Sequence, residues 1–137
     1  MQGIGTMFIR FVIGFHSPLA RAEAGFFHAA YAVRDDRAQP AWLRQELARQ
    51  LTWYNRHLPV PGRLSREFRR RGTIWGICWF RPEAKEAIAR AHYTAWLMEE
   101  GGEPVRRFMT ETPGELLWGD AMQVVTKPPK TMPRAFA

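Results

Sequence analysis

Two stretches of this chain are apolar almost without interruption, and they constrain the fold more than any other feature. Met7 to Phe15 reads Met-Phe-Ile-Arg-Phe-Val-Ile-Gly-Phe, and Thr73 to Phe80 reads Thr-Ile-Trp-Gly-Ile-Cys-Trp-Phe. Both are rich in β-branched and aromatic residues and are too short for buried helices, so both read as strands. A strand with one wet face alternates apolar and polar residues. These two do not, so both faces of their sheet must be covered, or one face must meet a partner. The whole chain is 137 residues, 46% apolar and 24% charged, a globular composition with room for one domain.

Between and after these strands the apolar period changes to that of helices. Phe26, Ala29, Ala30 and Val33 share one face of a segment running from Leu19 to Val33. Leu43, Leu47, Leu51, Tyr54 and Leu58 form the clearest helical stripe, which opens at Pro40 and is stopped by Pro59 and Pro61. A third helix follows Pro82 and carries Ala84, Ile88, Ala91, Ala95 and Met98 on one side, with Gly101-Gly102 as its C-terminal cap. Pro104 to Thr110 and Leu116 to Val125 read as further strands, joined through Thr112-Pro113-Gly114-Glu115 as a type II turn, with a bulge or second turn at Gly119-Asp120.

The expected order is β-α-α-β-α-β-β, an α+β or small α/β single domain with a mixed four-stranded sheet and helices packed on it. The two crossovers imply parallel pairing of the first three strands if they are neighbours. The last two strands should form an antiparallel hairpin. The domain is expected over residues 1–126 with a basic loop at 61–72, and 127–137 as a flexible Pro-rich basic tail.

Several function classes find no support. The longest apolar run of the N-terminal region is interrupted by Arg10 and is far shorter than the ~20 residues of a membrane span. It lacks the layout of a secretory signal. Met7 is an alternative start to Met1. One cysteine, Cys78, rules out an intrachain disulfide and fits a reducing cytoplasm. His16, His28, His57 and His92 lack the spacing of a metal pair. Gly3 and Gly5 precede the first strand, the reverse of the order a dinucleotide-binding loop requires. Cys78 as a nucleophile, and Asp35-Asp36 with Asp120 as a Mg²⁺ site, are the remaining enzymatic readings; a buried thiol and solvated loop acids explain the same residues more simply. No cofactor and no metal are expected.

The charge is the functional signal. The net charge is +7, and Arg outnumbers Lys 17 to 3. Arg63, Arg66, Arg69, Arg70 and Arg71 stand within nine residues beside a single Glu67 and contribute +4; Lys127, Lys130 and Arg134 of the tail contribute +3, and the rest of the chain is neutral. Guanidinium groups grip phosphate and carboxylate through two parallel bonds. Trp53, Tyr54, Trp75 and Trp79 flank the cluster and could add stacking. The leading expectation is an accessory protein that contacts nucleic acid or a nucleoprotein assembly through Arg63, Arg66, Arg69, Arg70 and Arg71. An acidic protein partner fits the same residues, and a simple solvated loop is the plain alternative. A second expectation, from the excess of aromatics, is a protein-interaction subunit or homodimer with an exposed apolar patch. An enzyme with an unrecognised site is the third.

Certain segments resemble a group of small uncharacterised bacterial proteins. They are Ile77-Cys78-Trp79-Phe80, Ala84 and Ile88, Gly102-x-Pro104-Val105, Thr110-x-Thr112-Pro113-Gly114, Asp120, and Gln123-Val124-Val125. Phe26 to Tyr31 and Trp53 to Pro61 fit more loosely. The resemblance spans Phe26 to Pro129 and implies a bacterial, soluble, stand-alone domain. It implies no activity, cofactor or site, and Arg63 to Arg71 is the part it matches least.

Overall fold

The computed structural model describes residues 7–13, 25–58 and 77–127. Leu19 to Ala24, the basic loop at 61–72, Thr73 to Gly76 and the tail at 128–137 lie outside them. In chain order the elements are β1 (Phe8–Ile13), α1 (Phe26–Asp35), α2 (Ala41–His57), β2 (Ile77–Phe80), α3 (Lys85–Glu100), β3 (Val105–Thr110), β4 (Glu115–Gly119) and β5 (Gln123–Lys127). The α+β class is as the apolar patterns require. The sheet has five strands in the order β3-β1-β2-β5-β4, and every neighbouring pair is antiparallel.

That corrects the sequence reading in three respects. The segment from Leu116 to Val125 is two strands, because the Asp120 carboxylate accepts the backbone N–H groups of Met122 and Gln123, both at 2.8 Å, and closes a turn between them. The pairing is not parallel. The connection from β1 to β2 contains two helices, and α1 and α2 form an antiparallel hairpin, so β2 returns against β1. The connection from β2 to β3 contains one helix, and those two strands do run the same way, but β1 lies between them. The condition that the strands be neighbours therefore fails.

The third correction concerns Thr112-Pro113-Gly114-Glu115. Gly114 has a positive φ of 118°, as the turn reading requires. The strands it joins, however, are the two edges of the sheet. Edges of a flat five-stranded sheet would stand ~19 Å apart at the usual strand spacing. A link of this length reaches at most ~18 Å, so the sheet curls. Pro113 is buried, and the Thr126 hydroxyl donates to its carbonyl at 2.8 Å. Thr126 alternates with Val125 and shares its face with Val124 and Trp79, so the link crosses the face turned away from the helices.

The main core lies between the other face and the helices. Ile9, Phe11 and Ile13 of β1 and Phe80 of β2 meet Phe26, Ala29 and Ala30 of α1, the Leu43-Leu47-Leu51-Tyr54 stripe of α2, and Ala87, Ala91, Ala95 and Met98 of α3. A smaller cluster on the far face holds Trp79 and Val124 with Phe8 and Phe108. The unbroken apolar character of β1 and β2 is thus explained, since both faces of each are covered. The C-terminus of α3 ends as its glycines foretell: Gly102 has φ 89°, its N–H bonds the carbonyl of Glu99, and the N–H of Glu103 bonds that of Met98.

Candidate nucleic-acid interface

The outer surface of the domain is the antiparallel pair α2 and α3. Gln39, just before α2, donates to the carbonyl of Gly101 after α3 at 2.8 Å. Midway, Tyr93 donates to Glu46 at 2.6 Å. Toward the other end, buried Tyr54 donates to the carbonyl of Ala87 at 2.6 Å. The leucine stripe turns one side of α2 into the core, and helical geometry then places Trp42, Gln45, Arg49, Thr52 and Arg56 on the solvent side.

At the C-terminal end of α2 the two helices frame an open groove of about 480 Å³. Its walls include Arg49, Arg56 and His57 of α2 and Arg90 of α3, with Trp53 and Thr52 between them, and Glu46 and Glu86 stand beside it on Arg49 and Arg90. Arg90, His57 and Arg49 are positioned by their neighbours. The Arg90 guanidinium carbon stands 4.7 Å from the centre of the Trp53 ring, its Nη1 donates to the side chain of Gln50 at 3.2 Å, and its Nε pairs with Glu86 at 3.1 Å. The His57 ring stacks on Trp53 with centroids 4.5 Å apart and planes 19° from parallel. Its Nδ1 lies 2.9 Å from the Trp53 carbonyl. A carbonyl only accepts, so Nδ1 carries the hydrogen and Nε2 is left for a ligand. Arg49 is well exposed and leans toward Glu46 at 2.9 Å.

The other end of the same helix pair is aromatic. Trp42, Tyr93 and Trp96 are the large exposed rings here, with relative exposures of 48, 36 and 49%. Tyr93 and Trp96 are stacked at 6.0 Å and 16°, and Trp42 approaches Trp96 at 6.2 Å. Glu46 joins the two ends. The bond from Tyr93, and then Arg49, hold its carboxyl below the usual range, and Tyr93 is raised in return.

Arg63, Arg66, Arg69, Arg70 and Arg71 all lie outside the described residues. Of the aromatics expected to flank them, Trp75 does too, while Tyr54 and Trp79 are core residues and only Trp53 borders the groove. Cys78 sits on the helix-facing side of β2, and burial pushes its thiol up to about 11, a poor setting for a nucleophile. Asp120 is occupied by its turn, Asp35 pairs with Arg34, and Asp36 accepts the N–H of Ala38. Among the described residues no group of three metal-ligating side chains converges, and no helix is long and apolar enough to cross a membrane. What the groove offers chemically is three guanidinium groups beside the Trp53 ring, two of them already paired with Glu46 and Glu86. No family model, curated protein or solved structure matches this chain.

Proposed function

We propose that the protein is a small non-enzymatic accessory protein that binds nucleic acid or a nucleoprotein assembly, gripping phosphates with the groove of α2 and α3 together with Arg63, Arg66, Arg69, Arg70 and Arg71. The observation that carries this reading is the groove in which Arg49, Arg56 and Arg90 outnumber the two carboxylates beside them, Glu46 and Glu86, with His57 and Trp53 alongside. Arg63 follows Leu58, the cap of α2, by five residues, a span of at most ~18 Å. The lone free cysteine agrees with work in a reducing cytoplasm.

The test is a salt titration of binding to labelled DNA and RNA. Each phosphate neutralised contributes about 0.7 to 0.9 to the slope of log K against log salt. Substituting Gln at all five of Arg63, Arg66, Arg69, Arg70 and Arg71 should flatten that slope and leave the thermal melt unchanged. Binding that is absent at low salt, or indifferent to salt, refutes the reading.

One observation supports homodimerisation as a second reading. β4 is an edge strand and carries Leu116, exposed at 59%. An apolar edge is a ready template for pairing with a second copy. Light scattering across a wide concentration range decides it, and a monomer throughout counts against it.

A further inference from the structure

The solvent side of α2 and α3 carries two kinds of chemistry in one line. Trp42, Trp96 and Tyr93 form the aromatic end, and Arg49, Arg90 and Arg56 form the cationic end. From Trp42 to Arg56 the helix advances ~21 Å, enough for a few nucleotides of extended strand. We infer that this line is a track for single-stranded nucleic acid, with bases stacking on Trp42, Tyr93 and Trp96 while the phosphates run to Arg49, Arg56 and Arg90. The inference rests on the nucleic-acid reading above and names its ligand class.

A duplex keeps its base faces stacked inside and has no use for exposed rings; only an unpaired strand presents free faces to them. The rings are also held ready. The Tyr93 hydroxyl is tied to Glu46 at 2.6 Å, and Tyr93 and Trp96 lie nearly parallel on successive turns of α3. Charge complementarity selects the occupant: the aromatic end continues into a groove where Arg49, Arg56 and Arg90 outnumber Glu46 and Glu86, which suits a polyanion better than another apolar surface. Glu46 and Glu86 are opposing charges on the track, and Glu86 is engaged by Arg90. The Glu46 carboxylate is engaged by both Tyr93 and Arg49.

The experiment measures affinity of the full chain for labelled oligo-dT, for a duplex of equal length, and for heparin, which has the charge but no bases. Trp42→Ala with Trp96→Ala is compared with wild type, and Trp42→Phe with Trp96→Phe serves as a conservative control that keeps a π face. Both rings are about half exposed, and a melt checks that the fold survives. The alanine pair should weaken oligo-dT binding about tenfold or more. It should leave duplex and heparin binding and the salt slope unchanged, and the phenylalanine pair should restore most of the loss. If the alanine pair weakens duplex and oligo-dT equally, or weakens neither, the single-strand inference is overturned while the polyanion reading stands. If wild type binds none of the three at low salt, the polyanion reading itself fails. If the alanine pair abolishes self-association and leaves oligo-dT binding intact, the rings belong to a protein interface and the inference is overturned.

Discussion

Replacing Arg10 with methionine should stabilise this protein. Arg10 lies in the middle of β1 opposite Phe108 of β3, on the face where Phe8, Phe108, Trp79 and Val124 cluster. Its Nε is sealed from solvent with no hydrogen-bond partner, and none of the ion pairs among the described residues includes it. Burial lowers its pKa from the ordinary guanidinium value to about 10, against an opposing contribution from Cys78. At ~1.4 kcal/mol per unit, a shift of that size corresponds to about 3 kcal/mol of destabilisation while the guanidinium is charged. The residue as a whole is only partly buried, which trims the figure to about 2 kcal/mol. Methionine keeps the length, adapts to the aromatic neighbours and removes the charge. With ~2.1 cal/mol/K of unfolding entropy per residue, about 2 kcal/mol raises Tm by about 7 °C in a chain of this size.

The pH dependence follows from the direction of the shift. Because the folded pKa is depressed, the unfolded chain holds the extra proton from about pH 10 up to the ordinary guanidinium range, and stability rises with pH across that window. The penalty is complete below about pH 10. Urea melts of wild type and Arg10→Met followed by circular dichroism should therefore differ most at pH 7 and converge as the pH passes 10. A variant less stable than wild type at pH 7 by 1 kcal/mol or more would refute the reasoning, since only a compensating partner for Arg10 produces that sign.

Other consequences can be checked with the same melts or with simple labelling. Tyr54→Phe removes the 2.6 Å bond to the Ala87 carbonyl, which keeps its bond within the helix, at a cost of about 1 kcal/mol in a urea melt. Gly101→Ala places a Cβ 2.8 Å from Val33 Cγ1 and 3.3 Å from Leu43 Cδ2; the forced shift between α1 and α3 should cost about 1 to 3 kcal/mol. Burial raises the Cys78 pKa to about 11, so the thiol stays protonated at pH 8 and should react with a disulfide reagent only when the chain is unfolded; fast native labelling contradicts this placement. Glu46→Gln removes the negative charge beside Arg49 and Tyr93. It should strengthen binding of oligo-dT a few-fold at low salt, and the gain should vanish at high salt.

The helices were legible because each has a single apolar face. Every residue of the Leu43-Leu47-Leu51-Tyr54-Leu58 stripe is buried, and Gly101-Gly102 ends α3 as its backbone freedom suggests. The strands were legible as strands, and of the two alternatives that the continuity of β1 and β2 leaves open, covered faces or a face that meets a partner, the packing of Phe11 and Phe80 on one side and Phe8 and Trp79 on the other fits the first. Their pairing was not, because direction depends on how many helices intervene and on which strand slips between two others. Nothing local in Thr112-Pro113-Gly114 separates a hairpin turn from a link across a curled sheet.

The groove escaped sequence reading for a similar reason. Arg49 and Arg56 recur at helical spacing on the side of α2 opposite its leucines, a signal that was present. Arg90 joins them only because α3 docks antiparallel, across 34 to 41 residues of chain. The excess of aromatics divided in a way the sequence did not reveal: Trp79 went to the far-face cluster, while Trp42 and Trp96 stayed at the surface.

The most direct test of the account is the salt slope of oligo-dT affinity for wild type against a variant carrying Arg49→Gln and Arg56→Gln. Two lost phosphate contacts on a single strand should reduce the slope of log K against log salt by about 1.4, with the melt unchanged because both side chains are exposed. Equal slopes for the two proteins, or no oligo-dT binding by wild type at 50 mM salt, would contradict the assignment of this groove to nucleic acid.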